Sequence, residues 1–215
     1  MADTTLSRSA AARAGLAVAQ QIADWAAQGL SAPARLLGVA RGFVEWAHYP
    51  QPDAVDPESG WKFYYHAHVA SQRPRAEHGH FHIFVPHGAA RASCNPQFSH
   101  LIGLSVDVRG LPLRLFTTNR WVTDEVWQAA PALHARVKRP RLRHAEPRDV
   151  ALWLENLLII FADDVQSLLQ ARDRRLAGAG GIEPVTRLED YRLRIPSQRR
   201  VDLPRRLRAL GCVTM

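Results

Sequence analysis

Apolar residues recur at helical spacing over the first part of the chain. Leu16, Val18, Ile22, Trp25 and Ala26 fall on one side of a helix predicted from about Leu6 to Gln28, and Gly29 ends it. Ser31, with Pro33 two positions on, is an N-cap followed by an early proline; Leu36, Leu37, Val39, Phe43, Val44 and Trp46 then continue the pattern, so the two segments read as a helical hairpin. Between His48 and Gly60, Pro50, Pro52 and Pro57 among turn-forming residues predict an irregular loop. Beyond it the period falls to two. Strands rich in aromatic and β-branched residues are predicted over about 61–69, 78–85, 100–109 and 113–119, and their short connections imply antiparallel pairing in sequence order.

The helical period returns after the strands. Thr123, followed by Asp124 and Glu125, predicts the start of a short helix reaching Ala130, with Pro131 closing it. A basic linker over 136–143 leads to a long helix from about Pro147 to Ala177, whose apolar stripe is Val150, Leu154, Leu157, Leu158, Phe161, Val165, Leu168 and Leu169. Gly178, Gly180 and Gly181 break it. From Arg172 to Arg208 there are 11 arginines against 5 acids, interspersed with Pro184, Pro196 and Pro204, which predicts an irregular tail packed over the domain or projecting from it. The expected class is therefore α+β: a four-stranded antiparallel meander flanked by an N-terminal helical hairpin and a long C-terminal helix. It forms one domain over residues 1–177, with an arginine-rich tail over 178–215.

A chain of 215 residues buries a substantial core without staples. The net charge of +8 rests on arginine, since Lys62 and Lys138 are the only lysines; it leaves nucleic acid as a possible but not favoured partner. Cys94 and Cys212 form no CxxC and lie far apart, which fits a reducing cytoplasm. The longest apolar run, around Leu157–Ala162, is too short for a membrane span. The last four residues, Cys212–Met215, fit a prenylation box by pattern, but the arginine bias explains the basic residues before it and no membrane anchor is expected.

The chemistry-bearing feature is histidine. Seven of the ten fall between His66 and His100. Side chains two apart on a strand share a face, so Tyr64, His66 and His68 form one set while His78, His80 and His82 form another on the next strand. If the two strands pair as a hairpin, the sets meet. Crowded imidazoles repel one another once protonated, whereas neutral imidazole is the common nitrogen ligand of Zn, Fe and Cu, so His66, His68, His78, His80 and His82 are candidate ligands for a transition metal. Three ligands with an open position make a catalytic site; four close a structural one. Glu77 points away from His80 unless the strand start bends at Gly79, in which case it is a ligand, or it orients a ligand ring. Asp107, on the strand that His100 begins, and Asn119, at a strand-to-helix junction, are further candidates for catalysis beside Glu77.

Two resemblances accompany these residues. The run His78-Gly79-His80-Phe81-His82-Ile83-Phe84 resembles the signature of the histidine-triad nucleotide hydrolases and transferases, which implies attack on a nucleotide α-phosphate by His80. Over the whole chain, Tyr65–His68, Glu77–His82 and Thr118–Thr123 resemble segments of an uncharacterised bacterial family of unknown function, which implies no activity. The leading expectation from the residues is a metal-binding protein, hydrolytic with Zn or redox-active with Fe or Cu, acting on a small-molecule substrate. The alternatives are triad chemistry or a non-enzymatic metal- or nucleic-acid-binding module.

Overall fold

The computed structural model describes residues 2–38, 44–87, 97–177 and 187–213. Helix α1 (Ala2–Ala27) is followed by α2 (Ala32–Leu37), which Ser31 caps by accepting from the Ala34 amide. The sheet consists of β1 (Tyr49–Val55), β2 (Lys62–His66), β3 (Gly79–Pro86), β4 (Phe98–Val106) and β5 (Pro112–Thr117), with β6 (Ser197–Arg200) added late in the chain. Between β5 and β6 lie α3 (Arg120–Thr123), α4 (Ala130–Lys138), α5 (Arg148–Ile160) and α6 (Ala162–Ala177); α7 (Leu203–Ala209) follows β6. The fold is α+β. All six strands are antiparallel and lie in sequence order.

The meander thus has six strands rather than the expected four, and both additions are at its edges. β1 occupies the segment expected to be a loop, because an edge strand leaves one row of amides unpaired and so tolerates Pro50 and Pro52. β6 comes from the arginine-rich tail, where Ser197 to Arg200 pair with Thr117 to Arg114. The tail arginines find acids on α6: Arg199 and Arg206 both reach Asp164, at 2.8 and 2.5 Å. Its terminal Cys212 is free and lies against α1, with Sγ 3.3 Å from the Ala12 carbonyl.

Helix boundaries shift for local reasons. The second helix ends at Leu37 and Trp46 lies in a turn; the expected continuation through 39–43 lies outside the described residues. Pro131 sits in the first turn of α4, where a missing amide costs nothing, instead of closing a helix. Asn119, not Thr123, is the cap of α3, its Oδ1 accepting from the Arg120 amide. The long C-terminal helix is two helices meeting at Phe161. No helix among the described residues is long and apolar enough to cross a membrane.

One face of the sheet is the core. Phe63, Phe81, Ile83, Ile102, Leu104 and Leu115 pack against Trp153, Leu154, Leu157 and Phe161 of α5 and its end, and Val165 of α6. α1 lies outside α5, with Trp25 edge-on to Trp153 and its indole nitrogen donating to Asp149 at 3.0 Å. Among the described residues the other face of the sheet carries no helix layer of this kind, and the histidines lie there.

Candidate functional site

In the β2–β3 register, Tyr64 opposes His82 and His66 opposes His80, so the alternation expected from sequence brings the two sets onto one face. Among the described residues, His66, His80 and His82 each offer a ring nitrogen, and all three nitrogens lie within 4.8 Å of one another. His66 Nε2 and His80 Nε2 are 2.8 Å apart. All three rings are buried. They sit at the floor of a cavity of about 460 Å³, which Trp46, His48, Tyr64, His68, Glu77, Arg114, Phe116, Thr118, Trp121 and Arg194 also line.

The start of β3 decides which neighbours join them. Gly79 has Tyr65 laid over it: a Cβ there would meet the Tyr65 hydroxyl and lie 2.6 Å from the His66 carbonyl oxygen. The chain bends here, and residues 77 and 78 leave the alternation. His78 turns to the opposite side, where its Nδ1 is 2.5 Å from Tyr65 Oη, and it does not line the cavity. Glu77 turns inward. Its Oε1 accepts from His80 Nδ1 at 2.8 Å and its Oε2 accepts from Arg114 at 3.1 Å. Burial favours the protonated carboxyl, but His80, through its hydrogen bond and its charge, a hydrogen bond from Ser105 and the Arg114 charge outweigh it and hold Glu77 below the usual carboxylate range. A carboxylate only accepts, so His80 Nδ1 is the donor and its Nε2 faces the group.

His82 is fixed from the other side of the sheet. A register shift between Ile83 and Phe84 inserts Leu101 as an extra residue, so that His100 rather than Leu101 faces Phe84 and turns to the histidine side. His82 Nδ1 is 3.0 Å from His100 Nε2, and His100 Nδ1 is 2.9 Å from Thr118 Oγ1. Glu125, itself buried, accepts from the His100 amide at 2.5 Å, and its other carboxyl oxygen has no partner among the described residues. Burial pushes the Glu125 carboxyl up to about 8, so it is neutral at pH 7.

His66, His68, His82 and His100 are held neutral as well. Burial, followed by the neighbouring His80, His68 and His48 and by Arg194, drives His66 down to about 2. Burial and the Arg172 and His80 charges bring His100 to about 3, and burial with its imidazole neighbours holds His82 well below its ordinary value. Half-buried His68 falls to about 4 for the same reasons. Neutral imidazole is the form a metal takes.

The candidate residues therefore separate. His66, His80 and His82 come together; His68 lines the cavity 5.0 Å, ring to ring, from His80 and stacks on Trp46 at 4.1 Å. His78 faces away. Of the candidates for catalysis, Glu77 lies in the cavity wall, whereas Asp107 organises the β4–β5 turn by accepting from the Arg109 and Leu111 amides at 2.9 and 2.8 Å. Asn119 is fully buried behind the wall, capping α3 and donating to the Arg187 carbonyl at 2.8 Å.

Four participants lie outside the paired sets that the sequence pattern pointed to. His48 Nδ1 is 2.9 Å from Asp53 Oδ1, and its ring stacks on Tyr64 at 3.7 Å and 8°. Burial alone would raise the Asp53 carboxyl, but the hydrogen bond to His48 and the nearby Lys62 lower it. Trp46 holds a left-handed backbone (φ 69°), its amide donating to the Ala67 carbonyl at 2.9 Å. A bulky residue in that region marks a position the surroundings impose. Arg194 and Arg114 complete the list. The one sequence signal for His48 was the loop around it, because its register depends on the β1 pairing.

The whole-chain resemblance seen in the sequence is matched by a family model described as a domain of unknown function (DUF6969), which covers residues 12–201. The chain belongs to this family. No curated protein and no solved structure matches it. The histidine-triad resemblance finds no support: the family is a different one, and the bend at Gly79 removes His78 from the face that His80 and His82 share.

Proposed function

We propose that the protein binds a transition metal through His66, His80 and His82 and uses it for chemistry on a small molecule in the cavity above. The observation that carries this reading is the convergence of three buried ring nitrogens within 4.8 Å at the floor of a cavity of about 460 Å³. Buried polar rings are costly unless paired or coordinated. Two nitrogens on one tetrahedral metal lie about 3.3 Å apart, so the His66–His80 contact would open by roughly half an ångström as its shared proton leaves. Glu77 on His80 and the His100–Thr118 chain on His82 are the outer partners that fix ligand rings in metal sites. Three ligands leave a position for water or substrate, with Zn supporting hydrolysis and Fe or Cu supporting redox chemistry. His48, oriented by Asp53 and Tyr64, is placed on the cavity wall to move a proton.

The test is metal analysis of protein purified without an affinity tag, before and after reconstitution with Zn, Fe and Cu. One equivalent is expected, lost in both His80→Ala and His82→Ala. Less than about a tenth of an equivalent of every metal after reconstitution would sink the reading.

A further inference from the structure

The charges in the cavity wall are not all paired with one another. Glu77 is committed to His80 and Arg114, so that pair is neutral within itself. Asp124 stands at the rim with its side chain 97% exposed, 3.5 Å from Arg120. Arg194 remains: among the described residues its guanidinium makes no hydrogen bond and no ion pair, and it lies over the Trp121 ring, 5.6 Å from the centroid.

Its position is built rather than incidental. The Arg194 carbonyl accepts from the buried Asn119 amide at 3.0 Å, and the turn before it is tied down at three more points. Asn119 Nδ2 donates to the Arg187 carbonyl, Trp121 Nε1 donates to the Asp190 carbonyl at 2.9 Å, and Arg120 pairs with Glu189. These contacts hold the segment 187–195 against the strand-to-helix junction, so the guanidinium is presented over the cavity at little entropic cost. A flat guanidinium on an indole face is well placed to receive a carboxylate in a two-pronged contact.

The rest of the wall calls for a carbon skeleton. Trp46, Tyr64, Phe116 and Trp121 give it aromatic surface, and the volume is within the usual range of about 300–1,000 Å³ for small-molecule sites. We propose that the cavity takes a small organic carboxylate, its acid group on Arg194, its unsaturated or apolar body along the aromatic wall, and its reacting end toward His66, His80 and His82. This specification of the substrate class rests on the metal reading, but Arg194 is a separate group and can be tested separately.

The probes are benzoate, the neutral benzamide of the same shape, and inorganic phosphate, titrated calorimetrically and by tryptophan fluorescence into wild type, Arg194→Ala and Arg194→Lys. Each protein is measured both metal-loaded and metal-free. Wild type is expected to bind benzoate at least about tenfold more tightly than benzamide or phosphate. Arg194→Ala should lose that preference with unchanged metal content and melting temperature, and Arg194→Lys should recover part of it. Equal benzoate affinity in wild type and Arg194→Ala, no benzoate binding at millimolar concentration, or tighter binding of phosphate than benzoate would each overturn the proposal. Failure of the metal reading shows instead as no metal uptake by wild type, whatever benzoate does.

Discussion

The two sides of β3 are equally buried and chemically opposite. All eight of its residues are shielded from solvent, yet Phe81 and Ile83 pack into helices while His80 and His82 meet other histidines under a cavity. On the helix side, shape and transfer from water supply the stability, and each ring is held by neighbours that need nothing from it but contact. On the histidine side, each ring is held by a directional partner and keeps a nitrogen facing the group. A core builds the first kind of surface for stability; the second kind costs stability and is retained where it binds something.

The largest expected effect breaks the core side alone. Phe81→Ala, which empties a position in contact with Trp153, Tyr65 and Phe63, should lower the unfolding free energy by about 3–5 kcal/mol in urea titration. His80→Ala should cost the metal-free protein less than about 1.5 kcal/mol and lower metal affinity more than about 100-fold, measured by competition with a chromophoric chelator. If His80→Ala destabilises metal-free protein as much as Phe81→Ala, the two sides are alike and the histidines are packing. Glu77→Gln keeps the acceptor for His80 and removes its charge, so metal affinity should fall by about 10–100-fold in the same competition.

A pH titration of metal-free stability sharpens the contrast further. His66 at about 2, His100 at about 3 and the depressed His82 stay neutral in the folded protein, while unfolded histidine takes up a proton near 6.5. The unfolded state therefore binds more protons below 6.5, and stability falls as pH drops from there toward 3. Glu125, raised to about 8 from the ordinary 4.5, is protonated when folded and ionised when unfolded, so it opposes the histidines above 4.5 and makes stability fall between 6.5 and 8. With several histidines against one glutamate, the optimum is expected near pH 6.5, each limb sloping by about 1.4 kcal/mol per pH unit or more for the net proton involved. Chemical denaturation from pH 5 to 8.5 measures this, and Glu125→Gln should flatten the alkaline limb. The smallest effect lies away from both sides: Asp107→Ala should loosen the β4–β5 turn by about 1 kcal/mol and leave metal binding unchanged.

Much of the site was legible because β2 and β3 are consecutive strands that pair antiparallel and alternate cleanly. Tyr64, His66, His80 and His82 obey that rule, and the structure pairs them as the parity requires. Glu77 and His78 do not: they precede the first residue of β3, Gly79, over which Tyr65 lies, and there the two side chains face the sides opposite to those the alternation predicts. In the fold, the central four strands were readable from their aromatic and β-branched content. β1 was hidden by prolines that only an edge position allows, and β6 by a run of arginines that Asp164 neutralises from a helix 30 or more residues earlier.

The sequence by itself determined that His80 and His82 would lie opposite Phe81 and Ile83, because the two-residue period of a strand is a property of its own backbone. It also determined that the central strands would pair in order, because short connections permit little else. The tertiary structure decided which groups surround those rings. An extra residue in β4 turns His100 toward His82, the β1 pairing brings His48 onto Tyr64, and Asn119 holds Arg194 over the cavity from 75 positions along the chain. Each of these depends on a contact between segments distant in sequence, where no local periodicity reaches.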